Sequence, residues 1–355
     1  TPTISAEDSV TTSINGTSDA ITVNVGDLSY VKVTDSAGGV EVGSPTITTD
    51  GSLTLYASGY DAYGNYRSLE SVTWVAGGDF DGSDLSSGSG TSTIFQPNNT
   101  GTGTVTADHA TATDDSTGTI TVNPGEIDHL EVTTTLVGNA IAGVGFDVTV
   151  TVYDAENNVK TDFAGAQYVD WEISGANSSP NGDQPTLPSD GDMSFTAGVA
   201  TYSGMVLVNG TDSVSINAIV STKTDASPPV VDADPASADY FTVVTSGSGV
   251  EKAGVNFAVT VTVYDIYGNL VDHGANDYDG VHTINFTSNA TASPGGNSPV
   301  IPSSVSLTFS GGTATTVVGT DPFTLYNASE TPTISAEDSV TTSINGTSDA
   351  ITVNV

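Results

Sequence analysis

Residues 142–154 read AGVGFDVTVTVYD, and residues 253–265 read AGVNFAVTVTVYD. In the first stretch Phe146, Val148, Val150 and Val152 alternate with Asp147, Thr149, Thr151 and Tyr153. In the second, Phe257, Val259, Val261 and Val263 alternate with Ala258, Thr260, Thr262 and Tyr264. A period of two sends successive side chains to opposite faces, so each stretch predicts a strand with one face on a core and one toward water. The β-branched content favours strand over helix at the same positions. A weaker copy, DGSLTLYASGYD, occupies 50–61. Every copy runs into a turn: YDAYGN at 60–65, YDAENN at 153–158 and YDIYGN at 264–269. The spacing of Asp61, Asp154 and Asp265 to Asn65, Asn158 and Asn269 reads as a tight turn in which Asp and Asn side chains bond their own backbone.

A longer repeat frames these three. Thr1–Val25 reads TPTISAEDSVTTSINGTSDAITVNV, and Thr331–Val355 is the same letter for letter, giving a period of 330 residues. Within one period the turn aspartates lie 93 and 111 residues apart, which is the size of a domain. Module ends recur too, in AITVNVGD at 20–27 and TITVNPGE at 119–126. The expected organisation is therefore residues 1–25 as closing strands of a preceding module, then modules at 26–124, 125–238 and 239–355. Gly, Asn and Asp punctuate the chain at the spacing of a β-sandwich. Trp74 and Trp171 follow the first long strand of their modules, with Ile284 and Phe286 in the comparable place of the third, and are expected in sandwich cores. The fold class that follows is all-β, with tandem immunoglobulin-like sandwiches arranged as beads in a rod.

The run AG-x-x-F-x-V-T-V-T-V-Y-D followed by Y-G-N resembles the tandem immunoglobulin-like repeats of large bacterial and archaeal surface proteins, the bacterial Ig-like and invasin/intimin-like group. It is fullest in the second and third modules. The first module lacks the AG-x-x-F start and carries Gly59 within the strand. The resemblance implies sandwich folds in adhesins, stalks, surface layers and extracellular filaments, and it specifies fold better than function.

Composition removes several function classes. The net charge is −37, with 42 acids against only Lys32, Arg67, Lys160, Lys223 and Lys252. Phosphate recognition needs clustered bases, so nucleic acid is excluded as a partner. No run approaches the roughly 20 apolar residues of a membrane span. With no Cys, disulfides, zinc–thiolate sites and thiol catalysis are out. No phosphate-binding GK[ST] loop, HExxH or GxSxG occurs, and His109, His129, His273 and His282 are scattered, so no catalytic residue and no certain cofactor is assigned.

Calcium is the candidate metal. Asp79, Asp81 and Ser83 place oxygens at positions 1, 3 and 5 of a loop that also holds Asp84, although Asp84 and Gly90 stand where an EF-hand wants Gly and Glu. Asp277 and Asp279 form a second acidic cluster. Glycosylation sequons stand at Asn15, Asn98, Asn177, Asn209, Asn285, Asn289, Asn327 and Asn345. Lys32 and Asn123, in the first and last strands of one module, are the pair available for an isopeptide cross-link. Tyr60, Tyr63, Tyr264 and Tyr267 near the turns are the candidates for stacking on polysaccharide. The expected role is a structural repeat of an extracellular filament or giant prokaryotic cell-surface protein, partnered by further copies of itself. The alternatives are an adhesin stalk or carbohydrate-binding repeats that meet a cell-surface ligand, and separate subunits polymerised by strand donation.

Overall fold

A computed structural model describes residues 1–355. Strand is the dominant structure, and the only helical element is one turn of 3-10 helix at Gly82–Asp84. The chain forms two compact units: residues 1–129 with 152–164 and 196–198, and the remaining residues. The β pairing falls into three sets, within 28–123, 129–234 and 238–354, besides an isolated hairpin at the start.

In the first set, Leu28–Thr34, Leu53–Asp61 and Tyr66–Leu69 form one sheet, joined by Ser92–Phe95. The second sheet runs through Thr46–Thr48, Ile120–Asn123, Gly101–Asp108, Val72–Gly78 and Ser89–Gly90. Alternate residues of both sheets meet in one core of Val31, Val33, Leu55, Trp74, Phe95 and Val105. Trp74 is buried as its position predicts, with its indole N–H unpartnered.

The third set repeats the plan. Ala238–Thr245 and Val259–Asp265 pair antiparallel, and Gly280–Ser288 pairs with Ser304–Phe309 and Ile334–Asp338. Phe257, Phe286, Phe309 and Phe323 fill the core between them. The Tyr278 hydroxyl donates to buried Asp338; burial pushes the phenol well above its ordinary pKa. In the second set Trp171 departs from expectation: it is half-buried and makes an edge contact with Tyr202, ring centroids 6.4 Å apart.

One device is common to the three. A short early strand pairs parallel with the last: Thr46–Thr48 with Ile120–Asn123, Ala140–Ile141 with Val230–Asp234, and Val250–Lys252 with Thr352–Asn354. Most of the remaining strand pairs are antiparallel, with parallel contacts also at Tyr240–Asn345 and Tyr30–Thr113, and the architecture is an immunoglobulin-like sandwich.

The duplicated segments adopt one conformation in two environments. Ser5, Ala6 and Glu7 face Thr17, Gly16 and Asn15, and Ser335, Ala336 and Glu337 face Thr347, Gly346 and Asn345 in the same register. Yet Ile4 is 68% exposed and Val23 78%, while their twins Ile334 and Val353 are 0% and 3% exposed.

Candidate functional site

The three YD turns are built alike. The amides of residues two and four places beyond the aspartate donate to one carboxylate oxygen: Tyr63 and Asn65 to Asp61, Glu156 and Asn158 to Asp154, Tyr267 and Asn269 to Asp265, all within 2.8–3.1 Å. The fourth turn residue sits in the left-handed region, with φ of 86° at Gly64, 64° at Asn157 and 81° at Gly268, a conformation that Gly and Asn adopt at least cost. Before each turn a tyrosine stacks on a ring of the preceding strand: Tyr60 on Tyr30, Tyr153 on His129 and Tyr264 on Tyr240, centroids 5.3–5.5 Å apart.

The second carboxylate oxygen reaches out of the turn to the incoming chain. It accepts the amide of Gly26 at Asp61 (2.8 Å), of Gly125 at Asp154 (3.0 Å) and of Ala236 at Asp265 (2.8 Å). The Thr49 hydroxyl adds a further bond to Asp154 at 2.7 Å. At Asp61 the Gly26 amide and the Asn65 side chain hold the carboxyl well below the usual range. Burial works against charge at Asp154, but the donors of Gly125, Thr49 and Asn158 outweigh it and the pKa is lowered.

The asparagine closing the turn grips a loop of the strand set before it. Asn158 Nδ2 donates to the Asn98 carbonyl at 2.8 Å, and the Thr100 amide donates to Asn158 Oδ1 at 3.3 Å. Asn269 Nδ2 donates to the Val208 carbonyl and the Gly210 amide donates to Asn269 Oδ1, both at 2.9 Å. His273 Nε2 donates to the Gly210 carbonyl at 2.9 Å, and its Asp272 partner raises its pKa. The carbonyls of Ile266 and Tyr267 accept from Asn181, and a Cβ on Gly268 would stand 2.6 Å from Asn181 Oδ1. Tyr267 lies so close over Gly143 that a Cβ there would meet its hydroxyl at 2.1 Å. Backbone donors and acceptors that lack partners in a buried loop are costly, so this clasp couples the turn to the loop it covers.

The gripped loops are N-x-[ST] triplets, Asn98–Thr100 and Asn209–Thr211. Each asparagine lies nine positions before the alanine that pairs with the central aromatic: Ala107 opposite Trp74 and Ala218 opposite Trp171. Asn327 stands at the same distance before Ala336, which pairs with Phe286. Asn209 Oδ1 caps its loop by accepting from the Thr211 amide and hydroxyl, and Asn327 does the same with Ser329. In the sequence the three triplets stand as sequons and the turns as local chemistry; the constant offset from the aromatic partner is the signal that joins them.

The other predicted positions are dispersed. Asp79 accepts from the Thr102 amide, Asp81 caps Gly82–Asp84 by accepting from Ser83, and Asp84 accepts from the Asp81 amide. Asp279 accepts from the Gly312 amide, and Asp277 lies in the same loop. These carboxylates serve hydrogen-bonded turns, and the structure brings no three Asp, Glu or His side chains together as a metal-binding group. Adding calcium or a chelator is expected to leave the melting temperature unchanged; a rise with calcium would reveal a site made from other oxygens. Asn15, Asn98, Asn177, Asn289 and Asn345 are exposed, while Asn209, Asn285 and Asn327 are half-buried. Lys32 pairs with Glu41 at the surface. Of the four tyrosines considered for polysaccharide, Tyr60 and Tyr264 are stacked on neighbouring rings, Tyr267 covers Gly143, and Tyr63 is open.

No protein-family model and no curated protein matches the chain. Among solved structures, the Escherichia coli adhesin FdeC aligns over 94% of this chain and 100% of its own at 16% identity, with a TM-score of 0.41. InvD of Yersinia pseudotuberculosis aligns over 92% of this chain and 98% of its own, at 16% identity and a TM-score of 0.40. An I-band fragment of titin aligns over 93% of this chain and 99% of its own, at 9% identity and a TM-score of 0.30.

Proposed function

We propose that this chain is a structural repeat of an extracellular prokaryotic stalk or filament, made of modules at 26–124, 125–238 and 239–355. The observation that carries the reading is the clasp built twice from the same residues, in which a conserved-geometry Asp–Asn turn seizes the backbone of the segment before it. Such a connection resists swivelling and pulling, which is what a spacer needs and a catalyst does not. The acidic surface with few basic residues keeps neighbouring chains apart. In an adhesin the same modules would act as the stalk that presents a cell-surface ligand site.

Strand donation between separate subunits is a second reading. It is favoured by the exposed apolar face of the hairpin at 1–25, identical to a segment that is buried at 331–355. The mass of native material after boiling in denaturant separates the two. Hundreds of kilodaltons indicate one continuous chain of repeats. A band near 35.8 kDa from a large native assembly indicates donated strands. Native material of that same small mass before denaturation would sink both.

The aspartate turns also set an acid limit. Asp61 and Asp154 have depressed folded pKa values, so their contribution to stability is complete above the ordinary carboxylate pKa of about 4 and is lost as pH falls through the folded values. Urea midpoints measured from neutral pH downward should drop steeply below that point. Asp154→Asn should lower the neutral-pH midpoint and flatten the drop.

A further inference from the structure

The turn at Asp61–Asn65 and the loop at Asn327–Ser329 have the parts of the clasp that their relatives, Asn158 with Asn98 and Asn269 with Val208, complete within the chain. We propose that they form a self-recognition site, in which the turn of one copy docks on the loop of the copy preceding it. The proposal rests on the structural-repeat reading and names the contact that this reading requires.

The turn is folded but unoccupied on its outer side. It has the same internal bonds as its two relatives, yet Tyr63 is 89% exposed and Asn65 is exposed, whereas Asn269 is 3% exposed. The Asn65 amide bonds only to Asp61, at 2.9 and 3.1 Å, while Asn158 and Asn269 each reach a loop as well. The loop is equally prepared. Asn327 occupies the place of Asn98 and Asn209, and its Asx cap on Ser329 matches that of Asn209 on Thr211. Gly254, the counterpart of Gly143 in the AGVN and AGVG runs, has a φ of 74° like the 80° of Gly143, and only Tyr326 approaches it.

The linker has the right length. Asp154 holds Gly125, two residues beyond the strand ending at Asn123, and Asp265 holds Ala236, two residues beyond the strand ending at Asp234. Because Asn24–Val25 duplicates Asn354–Val355, overlaying the identical segments of two copies puts Gly26 two residues beyond the strand ending at Asn354. Asp61 already holds the Gly26 amide. In this register Asn65 Nδ2 donates to the carbonyl of Tyr326 or Asn327, its Oδ1 accepts from the amide of Ala328 or Ser329, and Tyr63 lies over Gly254. The apolar face of residues 1–25 is covered at the same time, as that of 331–355 is.

The absence of cysteine makes the test direct. Tyr63→Cys in the single 355-residue chain should react quickly with a maleimide, and Tyr267→Cys slowly. In a chain joining residues 1–330 to residues 1–355, Tyr63→Cys in the second copy should react at least about tenfold more slowly than in the first, the ratio produced by roughly 1.4 kcal/mol of closing. Adding Asn65→Ala to the second copy should restore the fast rate with the circular dichroism spectrum unchanged. Equal rates in the two copies, with Tyr267→Cys still slow, would overturn the proposal. The native mass tests the structural-repeat reading separately and would be unaffected by that failure.

Discussion

Asn269→Ala should destabilise the chain by about 2–4 kcal/mol, against less than about 1 kcal/mol for Asn65→Ala, as read from urea unfolding midpoints. The two asparagines occupy the same position of the same turn, so local turn chemistry is common to both. What differs is the outer side. Asn269 is 3% exposed and bonds the Val208 carbonyl, the Gly210 amide and Asp265. Its removal strands a buried donor and a buried acceptor in the loop as well as weakening the turn. Asn65 bonds Asp61 alone and is exposed, so water replaces it. Equal losses at the two sites would mean that the turn, rather than the clasp, carries the energy.

Ile334→Ala should cost about 2–5 kcal/mol, the usual range for emptying a packed core position, while Ile4→Ala should stay within about 0.5 kcal/mol. The sequence around each is identical over 25 residues, so propensity, turn chemistry and denatured-state behaviour cancel in the comparison. Only burial differs, at 0% against 68% exposed. Thermal unfolding of the two variants is sufficient to decide it. A comparable loss from Ile4→Ala would show that the hairpin at 1–25 is buried in solution against a partner.

The strands were legible because their cores are assembled from alternation. Val259, Val261 and Val263 are each fully buried, and Thr260 and Thr262 between them are not. The turns were legible because Asp, a left-handed residue and Asn at fixed spacing have few other uses. The clasp was not, because its energy lies in backbone groups of a loop about 60 residues away, at Asn98 and Val208, and a carbonyl leaves no mark on the sequence. At Asn209 and Asn327 the triplet that reads as a sequon also caps its loop through its own Thr or Ser, so the sequence alone does not show the loop's second use. In the acidic loop at 79–84, Asp81 and Asp84 cap a single turn of helix, a role that the spacing of acids alone does not mark.

The clasp grips main-chain atoms of its neighbour far more than side chains, and main-chain atoms are the same whatever the residue. A turn of this kind accepts any preceding module that keeps an N-x-[ST] loop and a two-residue link. Modules can then drift apart in sequence, be lost, gained or exchanged by unequal recombination, and still be seated correctly on arrival. On the proposed structural-repeat reading, a gene built this way would change length in steps of a whole repeat without having to evolve a new joint.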